Sequence, residues 1–443
     1  MANPRRLRML CALLALTAGG CLAPAGEEWA QLVQAENGVP QDGFPNYQER
    51  LMLLAINRAR SEPNSLAHGT SGSCGGDGST PFAPSTPLVY DLDGSRAARF
   101  HCIHCQMNGG GLSHASYCTL EHDVATSGCD GAAACSCEPG SEHFSCTVNG
   151  GHGTDPFTRC ALFGYDANGE VGALGYGDGW GAVEGWVTEC PDYEGHRRIL
   201  LDADQFHSRI GLGYTGGQVC EYAKLYFGDT GAGQASIPLM PSGSHRPEDS
   251  EQPTFYVHLH DPGGEPESLH VVVDGTCHAM QLDAGEDARG TYRAAVDIGP
   301  GCHLYTFLAR DSAGARHVYP AAGALGAGDC SADYEPQAPE ADCDTCDPGE
   351  TLPCGIDEGA CELGERRCVD GFFGPCEGGV QPSAEICNQL DDDCDGETDE
   401  DCVEPPGSCG CAAGPDDGSI WTLLLLLTSM LFALWKSAHH RVS

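Results

Sequence analysis

Residues 186–200 read WVTECPDYEGHRRIL, and no other stretch of the chain carries as much information about fold and site. An aromatic residue lies three positions before Glu189, and a Gly-His-Arg triplet containing His196 is followed by an aliphatic pair. Carboxylate and imidazole are groups that proteins use for proton transfer and metal binding. Glu189 and His196 are therefore candidate functional residues.

The order of motifs around this stretch resembles that of the CAP superfamily (cysteine-rich secretory, antigen 5 and pathogenesis-related, or SCP-like, proteins). The resembling segments are LLAINRAR (53–60), PLVYD (87–91), LSH (112–114), DPFTR (155–159), WVTE (186–189), GHRRIL (195–200), IGLGY (210–214) and KLYF (224–227). The resemblance implies an α+β fold, an α/β/α sandwich, over residues 47–228. The first helix is expected over 47–60, where apolar residues recur at near-helical spacing until Pro63.

The same resemblance implies one polar cleft that contains His114, Glu170, Glu189 and His196. Two imidazoles can hold a zinc-like divalent metal, whereas Glu170 and Glu189 are the candidate catalytic groups, able to orient the rings or accept protons. This chain departs from the family pattern in three ways. More than fifty residues, many of them cysteines, separate His114 from Glu170. The usual Gly-Glu-Asn reads Gly-Glu-Val, and Glu194 lies close enough in sequence to His196 to replace Glu189.

The function expected of this cleft is binding or interaction at the cell surface, with an unidentified extracellular or cell-envelope ligand. A metal-assisted, peptidase-like hydrolase using the same cleft is the alternative, and a structural adhesin or stalk is a further one. The chain contains no Gly-x-Ser-x-Gly motif and no argued Ser-His-Asp set. Whether the protein is an enzyme stays open at this point.

Residues 1–21 have the parts of an export signal. A basic region is followed by an apolar run over 9–17 and by small residues before Cys21. Cys21 resembles the acylated cysteine of a lipobox, so lipidation of Cys21 and ordinary cleavage are both open. Either outcome predicts a protein outside the cytoplasm.

The composition favours an exported protein. The chain has 22 Lys+Arg against 64 Asp+Glu, a net charge of −42, which disfavours nucleic acid and anionic lipid as partners. Its 27 cysteines predict a disulfide-rich protein. Eleven cysteines lie between Cys74 and Cys220, and this odd number leaves one thiol free or paired outside the region.

A second metal site is possible at His101 and His104, which share a helical face. The favoured interpretation is different: Cys102 and Cys105 form disulfides with the cysteine-rich insertion that follows, as an oxidising compartment allows.

Composition and periodicity define the regions that flank the CAP-like segment. Glycine, serine and proline predict a linker over 229–253, and residues 22–46 form another. Period-two alternation over 254–325 predicts a small β-sandwich, with the hairpin turn Asp274-Gly275 and a disulfide between Cys277 and Cys302. The even cysteine groups after residue 276 are expected to pair internally.

Residues 330–402 contain many cysteines and few large apolar residues, so disulfides and a metal must supply their order. EICNQLDDDCDGETDE (385–400) resembles the metal-binding motif of MopE-type repeats. Oxygen ligands spaced as in the first half of an EF-hand favour calcium. The expected ligands are Asp391, Asp393, Asp395 and Asp399.

Residues 407–443 resemble a MYXO-CTERM sorting tail. Cys409 and Cys411 precede an apolar run at 420–435, which is short for a transmembrane segment, and a basic end follows. The prediction is a membrane-anchored protein displayed at the cell surface or outer envelope.

Overall fold

The computed structural model describes residues 37–65, 81–107, 111–116, 118–120, 147–148, 153–189, 194–202, 207–216, 224–232, 236–338, 343–344, 346–369, 371–374, 376–380 and 382–399. The chain forms two compact units, Met1–Leu352 with Glu365–Glu377 and Pro353–Gly364 with Gly378–Ser443. The predictions for Cys21, for Cys409 and Cys411, and for the span 420–435 lie outside the described residues. Within the described ranges, no helix is both long and apolar enough to span a bilayer.

The protein is of mixed α+β structure, with more sheet than helix. The described helices are α1 (Tyr47–Ser61), α2 (Leu92–Met107), α3 (Pro156–Leu162), α4 (Gly179–Val187) and α5 (Gly195–Leu201). The strands before residue 240 are β1 (Val89–Tyr90), β2 (Cys118–Thr119), β3 (Thr147–Val148), β4 (Ala167–Leu174), β5 (Arg209–Thr215) and β6 (Leu225–Gly231).

Helix α1 confirms the helix predicted over 47–60. A capping box starts it: the Asn46 side chain accepts the N–H of Glu49 at 3.0 Å, and the Glu49 carboxylate accepts the N–H of Asn46 at 3.0 Å. All positions of α1 are buried except Arg58, which is half-buried. A helix buried on nearly every face must pack against more than one neighbour.

The sheet of this first region has the order β1-β5-β6-β4, with β1 parallel to β5 and the other pairs antiparallel. Helix α2 packs on β5 at very short distance. A Cβ at Gly211 would lie 2.0 Å from the carbonyl carbon of Gly94, and one at Gly213 would lie 2.3 Å from that of Ala98. The two glycines of the IGLGY segment therefore allow the close approach of helix and strand.

The second region is built of two sheets. Its strands are β7 (Ser242–Arg246), β8 (Thr254–His260), β9 (Ser268–Val273), β10 (Thr276–Ala279), β11 (Gln281–Glu286), β12 (Arg289–Ala295), β13 (Cys302–Arg310), β14 (Arg316–Tyr319), β15 (Ala324–Gly328) and β16 (Tyr334–Glu335). One sheet has the order β10-β9-β13-β15-β16 with β14 beside β13, and the other β11-β12-β8-β7. Phe255 and Val257 of one sheet share a core with Val271 and Phe307 of the other, as in a sandwich.

The linker predicted over 229–253 is wrong in part, because Ser242–Arg246 is a strand paired with β8. The small residues of this strand allow close packing against its neighbours. Asn57 of α1 donates to Ser242 Oγ at 3.2 Å, and a Cβ at Gly243 would lie 2.7 Å from the Phe307 ring. The sheets also extend beyond the predicted end at 325, to β16.

The predicted Cys277–Cys302 disulfide is wrong. Cys277 pairs with Cys343, and Cys302 pairs with Cys330. Strand β9 lies between the strands of the two cysteines, which places them two strand spacings apart, about 9–10 Å. A disulfide needs Cα atoms within about 7 Å. Cys277 and Cys302 therefore each pair with a cysteine of the group that begins at Cys330, and neither even group pairs only within itself.

Further disulfides stabilise the cysteine-rich residues. Cys346 pairs with Cys368 in the first unit, where β18 (Gly364–Val369) forms a hairpin with β19 (Phe372–Phe373). Cys361 pairs with Cys394 in the second unit. Strand β17 is Thr351–Cys354. Cys354, Cys376 and Cys387 are also disulfide-bonded.

The disulfides predicted for Cys102 and Cys105 are wrong, since both are free, buried thiols, as is Cys160. His101 is fully buried next to them, with Nε2 2.6 Å from the carbonyl of Ser113 and 3.5 Å from Cys105 Sγ. In the described part of the chain, no metal-ligating group of three forms around this histidine. His101, Cys102 and Cys105 of α2 are therefore part of the buried core.

Candidate functional site

His114 and Glu170 form the first half of the candidate site. His114 lies in the segment after α2 with its side chain 55% exposed, and Glu170 is buried on β4. The His114 Nδ1 lies 2.6 Å from Glu170 Oε1. Because a carboxylate only accepts hydrogen bonds, Nδ1 carries a proton, and whenever the ring is neutral its lone pair is on Nε2.

Glu189 and His196 form the second half. Glu189 follows α4, and its carboxylate lies 2.5 Å from His196 Nδ1. The same carboxylate accepts the N–H of His196 at 2.9 Å and that of Arg197 at 3.3 Å, so it also satisfies the first amides of α5. Glu194, the alternative partner, forms an ion pair with Arg198 instead. Glu189 is therefore the carboxylate that orients His196.

The structure brings the four predicted residues together. The rings of His114 and His196 lie 6.4 Å apart, centre to centre, at 45°, and the Trp186 ring lies 6.4 Å from that of His196. We call His114, Glu170, Glu189 and His196 the histidine cleft. Its two halves have the same design, an imidazole held at Nδ1 by a carboxylate.

The donor set of the histidine cleft fits a divalent metal only in part. Neither His114 nor His196 has a hydrogen bond at Nε2 within the described residues, so both nitrogens are available. A zinc ion bound to a ring nitrogen lies roughly 3.2 Å from the ring centre. Rings 6.4 Å apart are thus at the limit of sharing one ion, and a tetrahedral angle requires them to approach by about 1 Å. Both carboxylates already hold the rings, so the site would be open and weak.

Arg159 stabilises the half of the site that contains His114 and Glu170. This fully buried side chain donates to the His114 carbonyl at 3.0 Å and to Ser116 Oγ at 3.2 Å, and it forms an ion pair with Glu170. The arginine thereby fixes both the backbone of His114 and the carboxylate that orients its ring. The DPFTR motif contains Arg159, but sequence reasoning gave it no role in the site.

Asp229 is a second buried residue that sequence reasoning missed. It lies directly opposite Glu170 on the neighbouring strand β6 and is fully buried. Burial raises the pKa of Asp229 well above its usual range, and the charge of Glu170 raises it further against the opposing effect of Arg159. One arginine cannot balance two buried carboxylates, so Asp229 keeps its proton to higher pH than an ordinary carboxyl group.

The imidazole of His114 responds to the same charges. The hydrogen bond that His114 donates to Glu170 raises the pKa of His114, burial lowers it, and the charge of Glu170 adds to the rise. His114 therefore holds a proton to higher pH than an unperturbed histidine.

In the second unit, the acidic motif brings together a different set of carboxylates from that predicted. Ligand oxygens of Glu385, Asp391 and Asp393 lie within 4.8 Å of one another. Asp395 and Asp399, also expected as ligands, are outside this group. Asp395 accepts an N–H within its own turn, and Asp399 accepts the N–H of Gln389 at 3.0 Å.

Backbone geometry explains this rearrangement. Cys394 and Gly396 adopt positive φ angles of 63° and 93°, and the Asp391 carboxylate accepts the N–H of Gly396 at 3.1 Å. Glu385 accepts the N–H groups of Asp392 and Asp393 at 2.6 and 2.8 Å. We call Glu385, Asp391 and Asp393 the acidic triad.

Comparisons with family models and with curated proteins give no match for this chain. The resemblance to the CAP superfamily stays a prediction from motifs. The features that bear on function are therefore the geometry of the histidine cleft and that of the acidic triad.

Proposed function

We propose that the chain is an exported, CAP-like surface protein that binds an extracellular or cell-envelope ligand in the histidine cleft. One observation carries the proposal: His114 and His196 are each oriented at Nδ1 by a carboxylate, their rings lie 6.4 Å apart, and neither Nε2 has a hydrogen bond among the described residues. Such a pair can accept hydrogen bonds from a ligand or coordinate a ligand-bound cation. The disulfides support a location outside the cytoplasm.

Binding is favoured over hydrolysis because the described residues supply no activated nucleophile. Two hydroxyl groups next to His114 in the sequence are already engaged: Ser113 Oγ donates to the Ala115 carbonyl at 2.9 Å, and Ser116 Oγ accepts from Arg159 at 3.2 Å. Nucleophilic catalysis needs a hydroxyl or thiol within reach of a base.

A metal-assisted hydrolase is the second candidate. The free Nε2 atoms and the orienting carboxylates favour it, since a metal with two protein ligands keeps positions open for water. A zinc-like ion would be held by His114 and His196, while Glu170 and Glu189 would orient the rings. When bound, the metal would polarise a substrate oxygen or activate water.

A paired substitution tests both candidates. Labelled full-length protein is incubated with isolated cell envelopes, and its zinc content and peptide hydrolysis are measured in parallel. The double variant His114→Ala, His196→Ala is expected to lose at least tenfold in envelope retention. The matched control is His317→Ala, which removes a histidine that also contacts a carboxylate (Asp311, 2.8 Å) but lies on β14.

Equal retention of the double variant and wild type contradicts a binding role for the cleft. Loss of zinc together with peptide turnover, with retention unchanged, supports the hydrolase instead. Membrane anchoring through the tail at 420–435 or a lipid at Cys21 remains part of the proposal, and mass spectrometry of the mature chain identifies either.

We also propose that the acidic triad binds calcium, because three carboxylates converge there and hard oxygen ligands favour that ion. Added calcium is expected to raise the melting temperature of the protein. Glu385→Gln should abolish this rise, whereas Asp395→Asn, outside the acidic triad, should retain most of it. A rise that survives Glu385→Gln contradicts the proposal.

A further inference from the structure

A cavity of about 590 Å³ lies at one end of the β-sandwich, away from the histidine cleft. It opens where the chain crosses from one sheet to the other, between β10 and β11, and Phe372 of the disulfide-bonded hairpin forms one wall. The Phe372 ring is held in place by an edge contact with His270, 4.8 Å between centres. A volume of this size suits a small ligand.

Four of the side chains that line the cavity can donate hydrogen bonds. They belong to Thr254, His278, Gln281 and Arg293, and the remaining lining residues are alanines, Cys277 and Phe372. No acidic residue is among the lining residues, although the chain has nearly three acidic residues for every basic one. The lining of the cavity therefore lacks the acidic residues that predominate in the chain as a whole.

Arg293 carries unbalanced positive charge. Its Nε lies 3.2 Å from Asp283 Oδ1, but the other oxygen of Asp283 is taken by Arg58 of α1 at 2.6 Å. One carboxylate thus faces two guanidinium groups, which leaves a net charge of about +1. Within the described residues, the terminal nitrogens of Arg293 have no hydrogen bond, and its side chain is 56% exposed. This fork is free to bind a carboxylate through two parallel hydrogen bonds.

The geometry points to a second binding site, in which the Arg293 fork takes the carboxylate of a small organic anion and Phe372 with the alanines contacts its ring-sized body. Gln281 lies opposite Arg293 in the β11–β12 register and supplies a further polar contact. A uronic acid and an aromatic carboxylate share this chemistry. The site is independent of the histidine cleft and goes beyond the function proposed for it.

Ligand-observed saturation-transfer NMR on the full-length protein tests the assignment, with glucuronate, benzoate and the neutral sugar glucose as probes. We expect transfer to glucuronate or benzoate and none to glucose at the same concentration. Transfer to benzoate alone identifies an aromatic carboxylate, and transfer to glucuronate alone identifies an acidic sugar. Equal transfer to glucose, or none to either carboxylate, overturns the proposal.

A matched pair of variants separates a specific site from general electrostatic attraction. Arg293→Gln is expected to weaken carboxylate binding at least tenfold. Arg289→Gln is the control: Arg289 lies on the same strand, is 58% exposed and faces Glu286 at 3.8 Å, so it loses the same charge outside the cavity. Equal losses in the two variants contradict the site.

A third variant tests the cavity without a change of charge. Ala279 is an exposed lining residue on β10, and Ala279→Trp should fill the space beside Arg293 and abolish binding with the fold retained. Unchanged affinity in Ala279→Trp shows that the ligand binds elsewhere. Circular dichroism of each variant confirms the fold.

Discussion

Asp229 is a buried carboxyl group whose raised pKa costs stability at neutral pH. Its folded pKa is raised, so the folded chain keeps a proton that the unfolded chain releases as pH rises above about 3.9. Stability is therefore lost from that pH upward until the folded group ionises. We predict that Asp229→Asn raises the melting temperature at pH 8 by a few degrees, on the order of 1 kcal/mol, and has little effect at pH 4.

Asp311 provides a control of opposite sign. The pKa of Asp311 is lowered, first by its hydrogen bond with His317, so Asp311→Asn should reduce the melting temperature at pH 8 and leave it unchanged at low pH. A destabilised Asp229→Asn protein at pH 8 contradicts a raised pKa for Asp229.

His114 should titrate above the usual histidine range because Glu170 accepts its Nδ1 hydrogen. The resulting stabilisation is complete below the unfolded pKa of about 6.5 and is lost as pH rises through the higher folded value. We predict that NMR of the ring protons gives a raised pKa for His114, which Glu170→Gln lowers. His258, where burial lowers the pKa to about 3, should not titrate near neutrality in either protein.

At the scale of elements, the sequence predicted features that depend on local order and missed those that depend on distant contacts. The apolar spacing was sufficient for α1, and the IGLGY segment for β5. Cys277 could not be paired from sequence, because strand order decides which cysteines meet. The Gly/Ser composition around Ser242 also predicted a linker, although small residues serve equally well under a tightly packed helix.

The candidate site residues also divide into those that local sequence identifies and those that depend on distant contacts. The cleft residues were found from short motifs, whereas Asp229 carries no local signal and acquires its role only through its position opposite Glu170. In the acidic motif, the even spacing of Asp391, Asp393 and Asp395 predicted one shell, but the positive φ at Cys394 turns Asp395 away from the group. Glu385 joins the acidic triad instead.

The contact between α2 and β5 is the tightest in the first region and gives a prediction at this scale. A methyl group at Gly211 would lie 2.0 Å from backbone atoms of Gly94, which cannot rotate away. We expect Gly211→Ala to cost about 3 kcal/mol or more, since overpacking against backbone forces the helix from the sheet. Urea unfolding measures the loss.

The matched control is Gly177→Ala. A Cβ there has no neighbour within 4 Å, so the substitution should change stability by less than about 0.5 kcal/mol. Similar losses in both variants indicate that the helix and strand are farther apart than described.

At the scale of the molecule, α1 packs in the core of the first region and also contacts the sandwich. Leu51 and Leu54 pack in the core of the first region, whereas Tyr47 donates to the His245 carbonyl of β7 at 2.8 Å. The buried Arg50 reaches Asp333 beside β16 at 3.0 Å. The sandwich is therefore not a spacer joined by a flexible linker. The first region depends on the sandwich to cover one face of α1.

This dependence predicts that the first region does not fold alone. A fragment ending at residue 232 exposes the face of α1 that holds Tyr47 and Asn57 and leaves the Arg50 guanidinium without its carboxylate. We expect it to aggregate or to lack a cooperative thermal transition by circular dichroism. A fragment ending at 338, with Cys277→Ser because Cys343 is absent, retains both cores and should unfold cooperatively. Cooperative unfolding of the shorter fragment would show that α1 needs only its own core, and the histidine cleft could then be studied apart from the sandwich.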